Sequence, residues 1–239
     1  MQKINFIGKT LLIKTEKKKF LVIGDLHLGY EESLNSAGIF MHHHLFDETI
    51  NYLEKVFRKT GEVNYVILLG DVKHVFHTIM RQEKEEMFNL FNYLEKKCSK
   101  IIITKGNHDS ILEPVVKKYS NISLVNYHLQ EELLFAHGDR QFPEMKDKKV
   151  KYLILAHGHP AVKISDKVKT EKYKCFLVGK YKGKNIIILP SFIEANEGSD
   201  PRENNLEMCY NFDLNNFKVQ VIREESLEVL NFGKLKKLS

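Results

Sequence analysis

The sequence is poor in the features that mark disulfide-bonded, exported or membrane-spanning proteins. Its 239 residues contain three cysteines. Because this number is odd and the cysteines are far apart in the chain, we expect neither a disulfide framework nor a cysteine-based zinc site. The longest apolar runs, such as YVILLG and NIIILP, are strand-sized and shorter than the ~20 residues of a transmembrane helix. The first residues lack the apolar segment and cleavage site of a signal peptide, so we expect a cytoplasmic protein without a membrane partner.

Internal repeats and low-complexity linkers are also lacking. Hydrophobic residues make up 43% of the chain, which is enough for one substantial core, and we expect residues 1–239 to form one domain. Lys and Arg number 37 against 31 Asp and Glu, which gives a formal net charge of +6. A charge of this size favours a partner that carries phosphate groups but does not identify it.

The first half of the sequence alternates between strand and helix patterns. Three apolar runs predict strands buried on both faces, namely FLVIG from Phe20, NYVILLG from Asn64 and KIIIT from Lys100. Two amphipathic patterns between them predict helices, the first with Asp47 as its N-cap and Gly61 as its stop, the second over RQEKEEMFNLFNYLEKKC. This β-α-β-α-β order predicts a largely parallel sheet.

Closely spaced strand patterns follow from about Ile122 onward. Strands are predicted over ISLVNY, ELLFAHG, KYLILAHG, YKCFLVGKY, NIIILPSF, MCYNFDL and FKVQVIRE. So many strands do not fit comfortably into one open sheet. The predicted fold is therefore an α/β sandwich of four layers, in which two mixed β-sheets pack face to face and helices flank them.

Five of the predicted strands end beside a glycine in residue types that bind metals. The segments GDLHLG, GDVKH, GNHD, AHGD and AHGHP follow these strands. The carboxyl ends of parallel strands meet at one edge of a sheet, and glycine lets the backbone approach a bound group closely. The residues of interest at these ends are Asp25, His27, Asp71, Asn107, His108, His137, His157 and His159.

These side chains offer a mixed set of nitrogen and oxygen donors. Two aspartates, four histidines and one asparagine oxygen suit Mn, Fe, Zn, Ni or Co better than Ca or Mg alone. Seven donors exceed the needs of one ion. They suit two ions about 3.5–4 Å apart that share an aspartate, the arrangement used for in-line displacement at phosphorus. The prediction depends on the whole set and not on any one histidine.

The ordered series of five segments resembles the signature blocks of the calcineurin-like metallophosphoesterases, over roughly residues 24–160. The resemblance implies a two-sheet sandwich and a hydrolase with two divalent ions, manganese being the first choice. Matched block by block, it implies Asp25, His27 and His159 at one metal, Asn107, His137 and His157 at the other, Asp71 as the bridge, and His108 unligated and facing the scissile phosphate.

The same resemblance implies hydrolysis of a phosphate ester by in-line attack of a hydroxide held between the metals. We expect phosphodiesters, with nucleic acid as a candidate substrate, because DLHLGYEE resembles the small archaeal phosphoesterases related to the SbcD-type repair nucleases. The alternatives are a phosphomonoesterase, a nucleotide hydrolase and an interaction scaffold without turnover. His74 stands where many family members carry a second carboxylate, which leaves the substrate class open. The capping domain and partner-binding tail of the repair nucleases are expected to be absent.

A few further residues have two interpretations. Asp109 is expected to cap the helix that begins SILEPVV or to orient His108. Arg140 is a candidate for binding a substrate phosphate or for a surface ion pair. The histidines 42–44 are expected at the exposed start of a helix, although contact with the substrate is an alternative. The roles of residues 194–205 and the oligomeric state are left open by the sequence.

Overall fold

The computed structural model describes residues 3–165 and 169–238. Within these ranges the strands are Lys3–Ile7 (β1), Thr10–Lys14 (β2), Lys19–Ile23 (β3), Val63–Leu68 (β4), Cys98–Thr104 (β5), Ile122–Val125 (β6), Tyr127–Gln130 (β7), Leu133–Ala136 (β8), Tyr152–Leu155 (β9), Ala161–Ser165 (β10), Thr170–Tyr181 (β11), Lys184–Ile188 (β12), Lys218–Arg223 (β13) and Glu228–Lys234 (β14). The α-helices are Tyr30–Ser36 (α1), Leu45–Thr60 (α2), Arg81–Glu95 (α3) and Glu113–Val116 (α4), and Pro143–Lys146, Leu214–Asn216 and Leu235–Lys237 form short 3₁₀ helices.

The strands form two mixed sheets. The first sheet has the order β1-β2-β3-β4-β5-β6, in which β3 to β6 are parallel and an amino-terminal hairpin, which the sequence patterns did not predict, adds β1 and β2. The second sheet has the order β14-β13-β11-β12-β9-β8-β7, with β10 paired to β11 and with β8, β9 and β12 parallel. The predicted two-sheet sandwich is confirmed.

The two sheets pack on each other through a continuous layer of buried side chains. Phe20 and Ile67 from the first sheet belong to the same cluster as Phe135 and Ile154 from the second. The ring centroids of Phe20 and Phe135 are 6.2 Å apart. Removal of these large apolar surfaces from water holds the sheets together. It also fixes the strand ends of one sheet relative to those of the other.

Helices α2 and α3 cover the outer face of the first sheet. Their buried residues recur every three or four positions, as the amphipathic patterns predicted. Helix α2 stops at Gly61 as expected, but Asp47 is not its N-cap, because the helix begins at Leu45. The carboxylate of Glu31 in α1 accepts hydrogen bonds from the N–H groups of His44 and Leu45, at 2.9 and 3.2 Å. A side chain from another helix thus replaces the local cap.

The outer face of the second sheet differs from the prediction, which placed helices on both outer faces. No α-helix of the described ranges packs there, and the 3₁₀ helices and an irregular segment cover it instead. The predicted strand MCYNFDL is wrong, because residues 208–213 form no ladder. Tyr210 and Phe212 nevertheless pack against the sheet. An alternating apolar pattern can therefore be satisfied by packing alone. No helix in the described part of the chain is long and apolar enough to cross a membrane.

Candidate metal centre

Five strand ends converge on one edge of the sandwich. Strands β3, β4 and β5 of the first sheet and β8 and β9 of the second each lead directly into one of the segments singled out above. The N–H of His157 donates to Oδ2 of Asp25 at 3.1 Å, and Oδ1 of Asn107 lies 3.0 Å from Nε2 of His137. Both contacts join residues of different sheets. The structure brings all eight residues predicted at the strand ends into one cluster, and their roles in it stay predictions.

Two groups in this cluster have the spacing of a metal site. Their potential ligand atoms lie within 4.8 Å of one another, and the groups are Asp25, His27, His159 and Asp71, His137, His157. Oδ2 of Asp71 lies 3.4 Å from Nε2 of His137 and 3.9 Å from Nε2 of His27. Asp71, a member of the second group, therefore also lies beside the first, which is where a bridging carboxylate would have to be.

Asn107 and His108 are adjacent in sequence but contact different partners. Asn107 faces His137, whereas Nδ1 of His108 donates to the carbonyl oxygen of His74. The ring of Phe76 covers the His108 ring, with centroids 3.7 Å apart. The backbone N–H of His108 donates to Oδ1 of Asp71 at 3.0 Å. Nε2 of the His108 ring lies 3.8 Å from Oδ2 of Asp71. With Nδ1 engaged by the backbone, Nε2 is the atom that can reach a ligand or a substrate.

A third group contains a histidine whose place in the cluster the sequence reasoning missed. His74 lies with His27 and His108 in a set whose nitrogens are within 4.8 Å of one another. Nδ1 of His74 is 3.4 Å from Nδ1 of His27. The sequence signal was the position of His74 three residues after Asp71, which was interpreted only as a departure from the family pattern. Because His108 belongs to this group, it can be either a metal ligand or an unligated histidine.

Burial keeps several of these histidines neutral at neutral pH. Loss of solvation lowers the pKa of His27 to about 3 and that of His74 to about 4. Burial also lowers the pKa of His157. Neutral imidazole is the form that binds a metal, so these side chains need not lose a proton first.

Asp71 and His137 lie close enough to form an ion pair, and each shifts the pKa of the other. Burial alone would raise the pKa of Asp71, but the hydrogen bond and the charge of His137 lower it below its usual range. Burial alone would lower the pKa of His137, but the hydrogen bond and the charge of Asp71 raise it to about 10. A divalent cation bound here would replace the proton of His137 as the positive charge beside Asp71.

Neighbouring groups orient two of the candidate ligands. Nδ1 of His137 donates to the carbonyl oxygen of Leu69 at 2.7 Å, which turns Nε2 towards the cluster. Nδ2 of Asn196 lies 2.7 Å from Nδ1 of His159. Such partners fix the ring orientation of metal-binding histidines. Asn196 belongs to the loop of residues 194–205, where no strand or glycine pattern marked it in the sequence.

The backbone at the cluster has the dihedral angles of a strained site. Five non-glycine residues there have positive φ, namely Asp25 (34°), His27 (46°), Asp71 (47°), His157 (68°) and His159 (43°). Such conformations cost free energy and concentrate at functional sites. Two glycines allow the close approach of the loops. A β-carbon on Gly106 would lie 2.2 Å from Oδ1 of Asp71, and one on Gly70 would lie 2.7 Å from Nδ1 of His137.

Two buried charged residues hold the loops that carry Asp71 and His108. Asp109 does not cap a helix, since α4 begins four residues later. Its carboxylate instead accepts hydrogen bonds from the N–H groups of Gly106 and Val72, both at 3.0 Å. The contact with Val72 ties the β5 loop to the β4 loop. The ammonium of Lys73, which is fully buried, donates to the backbone carbonyls of residues 75, 76 and 78 and so holds the β4 loop on itself. An unpaired buried charge would be costly.

Other predicted residues lie at the margin of the cluster. Arg140 pairs with Asp139, with its Nη2 2.7 Å from Oδ2, so the ion-pair interpretation describes its contact in this structure. The histidines 42–44 are exposed at the start of α2, as expected. His43 and His44 face Glu31 at 3.9 and 3.2 Å.

The donor set fits divalent transition metals. Carboxylate oxygens, imidazole nitrogens and an amide oxygen meet within a few ångströms, mostly out of contact with water. Two stacked mixed sheets with such a cluster at their strand ends define a metal-dependent phosphoesterase. The comparison of sequences is more specific, because residues 18–222 match the calcineurin-like phosphoesterases. The chain belongs to the calcineurin-like phosphoesterase family, and it is a hydrolase. An interaction scaffold without turnover is not supported.

Two solved structures illustrate what the chain is similar to. The nuclease MPE of Pseudomonas putida is 14% identical, with a TM-score of 0.59 over 97% of this chain and 100% of that chain. The E. coli phosphoesterase YfcE is 15% identical, with a TM-score of 0.45 over 88% of this chain and 96% of that chain. No curated protein matches at the level of sequence. The finer resemblance to the archaeal relatives of SbcD stays a prediction.

Proposed function

We propose that the protein binds two divalent ions, preferably Mn²⁺, and hydrolyses phosphodiester bonds. The observation that carries the proposal is that Asp71 lies beside donors of both groups, with its Oδ2 3.4 Å from Nε2 of His137 and 3.9 Å from Nε2 of His27. A single carboxylate in this position can contact two ions at once. The mixed nitrogen and oxygen donors favour a borderline metal over Ca²⁺ or Mg²⁺ alone.

The ligands divide between the two ions as follows. Asp25, His27 and His159 would hold one ion, and Asn107, His137 and His157 would hold the other, with Asp71 shared. Leu69 and Asn196 orient a ligand of each set from outside. When bound, two divalent ions lower the pKa of water and offset negative charge on phosphoryl oxygens.

His108 acts on the substrate in this proposal. Its Nδ1 is fixed by the carbonyl oxygen of His74 and its ring by Phe76, so Nε2 keeps one orientation beside Asp71. From there the imidazolium form of His108, which keeps Nδ1–H on that carbonyl oxygen, can donate its Nε2–H to a non-bridging phosphoryl oxygen or give that proton to the leaving alkoxide. Either contact strengthens as charge develops on the oxygen, so it favours the transition state over the ground state.

A phosphodiester, and nucleic acid in particular, is the proposed substrate class. The formal net charge of +6 favours a polyanionic substrate. The neighbour with the TM-score of 0.59 is described as a nuclease, which adds support by analogy of fold. Monoesters and free nucleotides are the competing substrates.

A metal-supplemented screen tests the proposal. Purified protein, stripped of metal and reloaded with Mn²⁺, Zn²⁺, Ni²⁺, Co²⁺ or Mg²⁺, would be offered bis-p-nitrophenyl phosphate, p-nitrophenyl phosphate, nucleotides, and single- and double-stranded DNA and RNA. We expect the fastest turnover of diesters with Mn²⁺, and none in Asp71→Ala. Faster turnover of the monoester than of any diester would contradict the substrate class, and one ion per active chain would contradict the metal count.

A further inference from the structure

A cavity on the outer face of the second sheet lies apart from the metal centre. Its volume is about 390 Å³, within the range of small-ligand sites. The residues that line it are Met145, Lys146, Lys148, Val150, Lys151, Leu153, Tyr181, Lys182, Gly183, Lys184 and Tyr210. Five of these eleven are lysines and none is acidic. The cavity is therefore cationic, with an apolar and aromatic component.

The apolar residues form the floor of the cavity. Met145, Val150, Leu153 and Tyr210 belong to the buried cluster on the outer face of the second sheet, and Tyr181 packs against it while half-exposed. The ring centroids of Tyr181 and Tyr210 are 5.2 Å apart. Such a floor can accept a flat aromatic group.

The lysines form the rim, and two of them are fixed by the backbone. Nζ of Lys184 donates to the carbonyl oxygen of Val150 at 2.7 Å, and Nζ of Lys151 donates to that of Lys148 at 3.0 Å. Burial and the charge of Lys151 lower the pKa of Lys184, as expected where positive charges crowd. The remaining three, at positions 146, 148 and 182, are exposed.

The cavity and the metal centre lie along the same strand. Lys151 and Leu153 line the cavity at the start of β9, and His157 follows the end of that strand. The four residues of β9 span about 13 Å at roughly 3.3 Å each, before the chain turns at His157. That length matches about four stacked nucleotides at roughly 3.4 Å each.

The segment of residues 206–210 also connects the two places. Met208 packs so closely on Gly158 that a β-carbon there would lie 2.9 Å from its sulfur. The N–H of Cys209 donates to the carbonyl oxygen of Gly138 at 2.8 Å. At one end of the segment, Gly138 and Gly158 adjoin the candidate ligands at positions 137, 157 and 159. At the other end, Tyr210 lines the cavity two residues after Met208.

We infer that this cavity binds one nucleotide unit of a single-stranded nucleic acid whose scissile phosphate lies at the metal centre. The location of the scissile phosphate at the metal centre rests on the proposed phosphodiesterase function. Phosphates pair with the lysine rim, and an unstacked base contacts the tyrosine floor. A single strand is required because bases in a duplex are stacked inside and cannot reach the floor.

Direct binding tests the inference without turnover. In EDTA, fluorescence anisotropy would measure the affinity for a labelled oligothymidylate of about twelve nucleotides. The cavity variant combines Lys146→Gln, Lys148→Gln and Lys182→Gln. The matched control combines Lys17→Gln, Lys96→Gln and Lys100→Gln, which remove the same charge from exposed positions in the turn after β2, directly after α3 and in β5. All six lysines are exposed, so both variants should keep the parent's melting temperature.

We expect the cavity variant to bind the oligonucleotide about tenfold more weakly at low salt and the control to bind it nearly as the parent does. Three lost phosphate contacts should also reduce the slope of log affinity against log salt by about 2, at roughly 0.7 per contact. Tyr181→Leu should weaken binding without changing this slope. Equal weakening in both lysine variants, no weakening in either, or equally effective competition by oligoglutamate of the same charge would each overturn the inference.

Turnover of bis-p-nitrophenyl phosphate separates this inference from the proposed function. The small diester cannot span the length of β9, about 13 Å, so the cavity variant should hydrolyse it at the parent's rate. Loss of that turnover in the cavity variant would mean that its lysines act at the metal centre, and the inference would be wrong. If the parent itself has no diesterase activity, the proposed function fails, whereas the binding measurement in EDTA still decides whether the cavity takes nucleic acid.

Discussion

Oδ2 of Asp71 lies 3.4 Å from Nε2 of His137, although the two residues follow strands of different sheets. The contact exists only because β4 and β8 end at the same edge of the sandwich. It places a carboxylate from the first sheet against an imidazole from the second. The interior packing between the sheets thus sets the geometry of the candidate metal centre.

Replacing Asp71 should remove metal as well as activity. Asp71→Ala deletes the oxygen that faces both donor groups, so we expect bound Mn²⁺ to fall from two ions per chain to one or none. Diesterase activity should fall below detection. Metal analysis after gel filtration measures the first effect, and Asp213→Ala, which removes an exposed carboxylate, serves as the control. Two ions retained in Asp71→Ala would refute the bridging role.

Replacing His108 should slow the reaction and leave the metals in place. Loss of a general acid typically costs about 10²–10⁴-fold, and we expect this range for a poor leaving group such as a nucleoside alkoxide. The loss should be smaller for p-nitrophenolate, which needs little protonation. His108→Ala would be assayed on both substrates beside a metal analysis.

His74→Ala is the informative comparison for His108, because His74 lies in the same group of three histidines. Both variants losing one ion would assign His108 as a ligand and contradict the proposed role. Turnover of His108→Ala at the parent's rate on both leaving groups would also contradict it.

Replacing Asn196 should weaken one metal site selectively. Its amide lies 2.7 Å from Nδ1 of His159 and orients that ring from outside the cluster. Loss of such a partner typically reduces metal affinity about 10–100-fold. Asn196→Ala should therefore need more Mn²⁺ for half-maximal activity yet reach nearly the parent's rate when saturated. Asn204→Ala, on the exposed part of the same loop, should titrate like the parent, and identical titrations for all three proteins would count against the orienting role.

Replacing Asp109 should destabilise the protein even without metal. The buried carboxylate accepts the N–H groups of Gly106 and Val72, and Asp109→Ala leaves both donors unpaired. We expect the free energy of unfolding in EDTA to fall by about 3 kcal/mol, since hydrogen bonds to charged groups contribute roughly 1.5–3 kcal/mol each. Asp109→Asn should lose less because it keeps one acceptor oxygen. Urea denaturation measures both, and an unchanged midpoint for Asp109→Ala would disprove the tie between the loops.

Local patterns in the sequence were sufficient to predict much of the fold. An apolar run followed by glycine and a polar residue identified the ends of β3, β4, β5, β8 and β9, because burial and backbone turning depend on neighbouring residues. The stop of α2 at Gly61 was predicted for the same reason. The metal identity, the ligand roles, the single domain and the cytoplasmic location stay predictions.

Features that depend on distant contacts could not be predicted from local patterns. The start of α2 was misplaced because Glu31, from another helix, supplies the hydrogen bonds of the cap. The strand predicted over residues 208–214 was wrong because packing against a sheet satisfies an alternating apolar pattern without a ladder.

The amino-acid sequence alone determined which residue types end the strands and hence the chemistry available to the protein. Only the tertiary structure decided which of them meet. Glu83 accepts the backbone N–H of His74 at 2.8 Å and so fixes that histidine at the cluster. Asn196 joins the cluster through its contact with His159. Distances of a few ångströms between residues far apart in the chain arise from the packing of two sheets, and no periodicity along the chain records them.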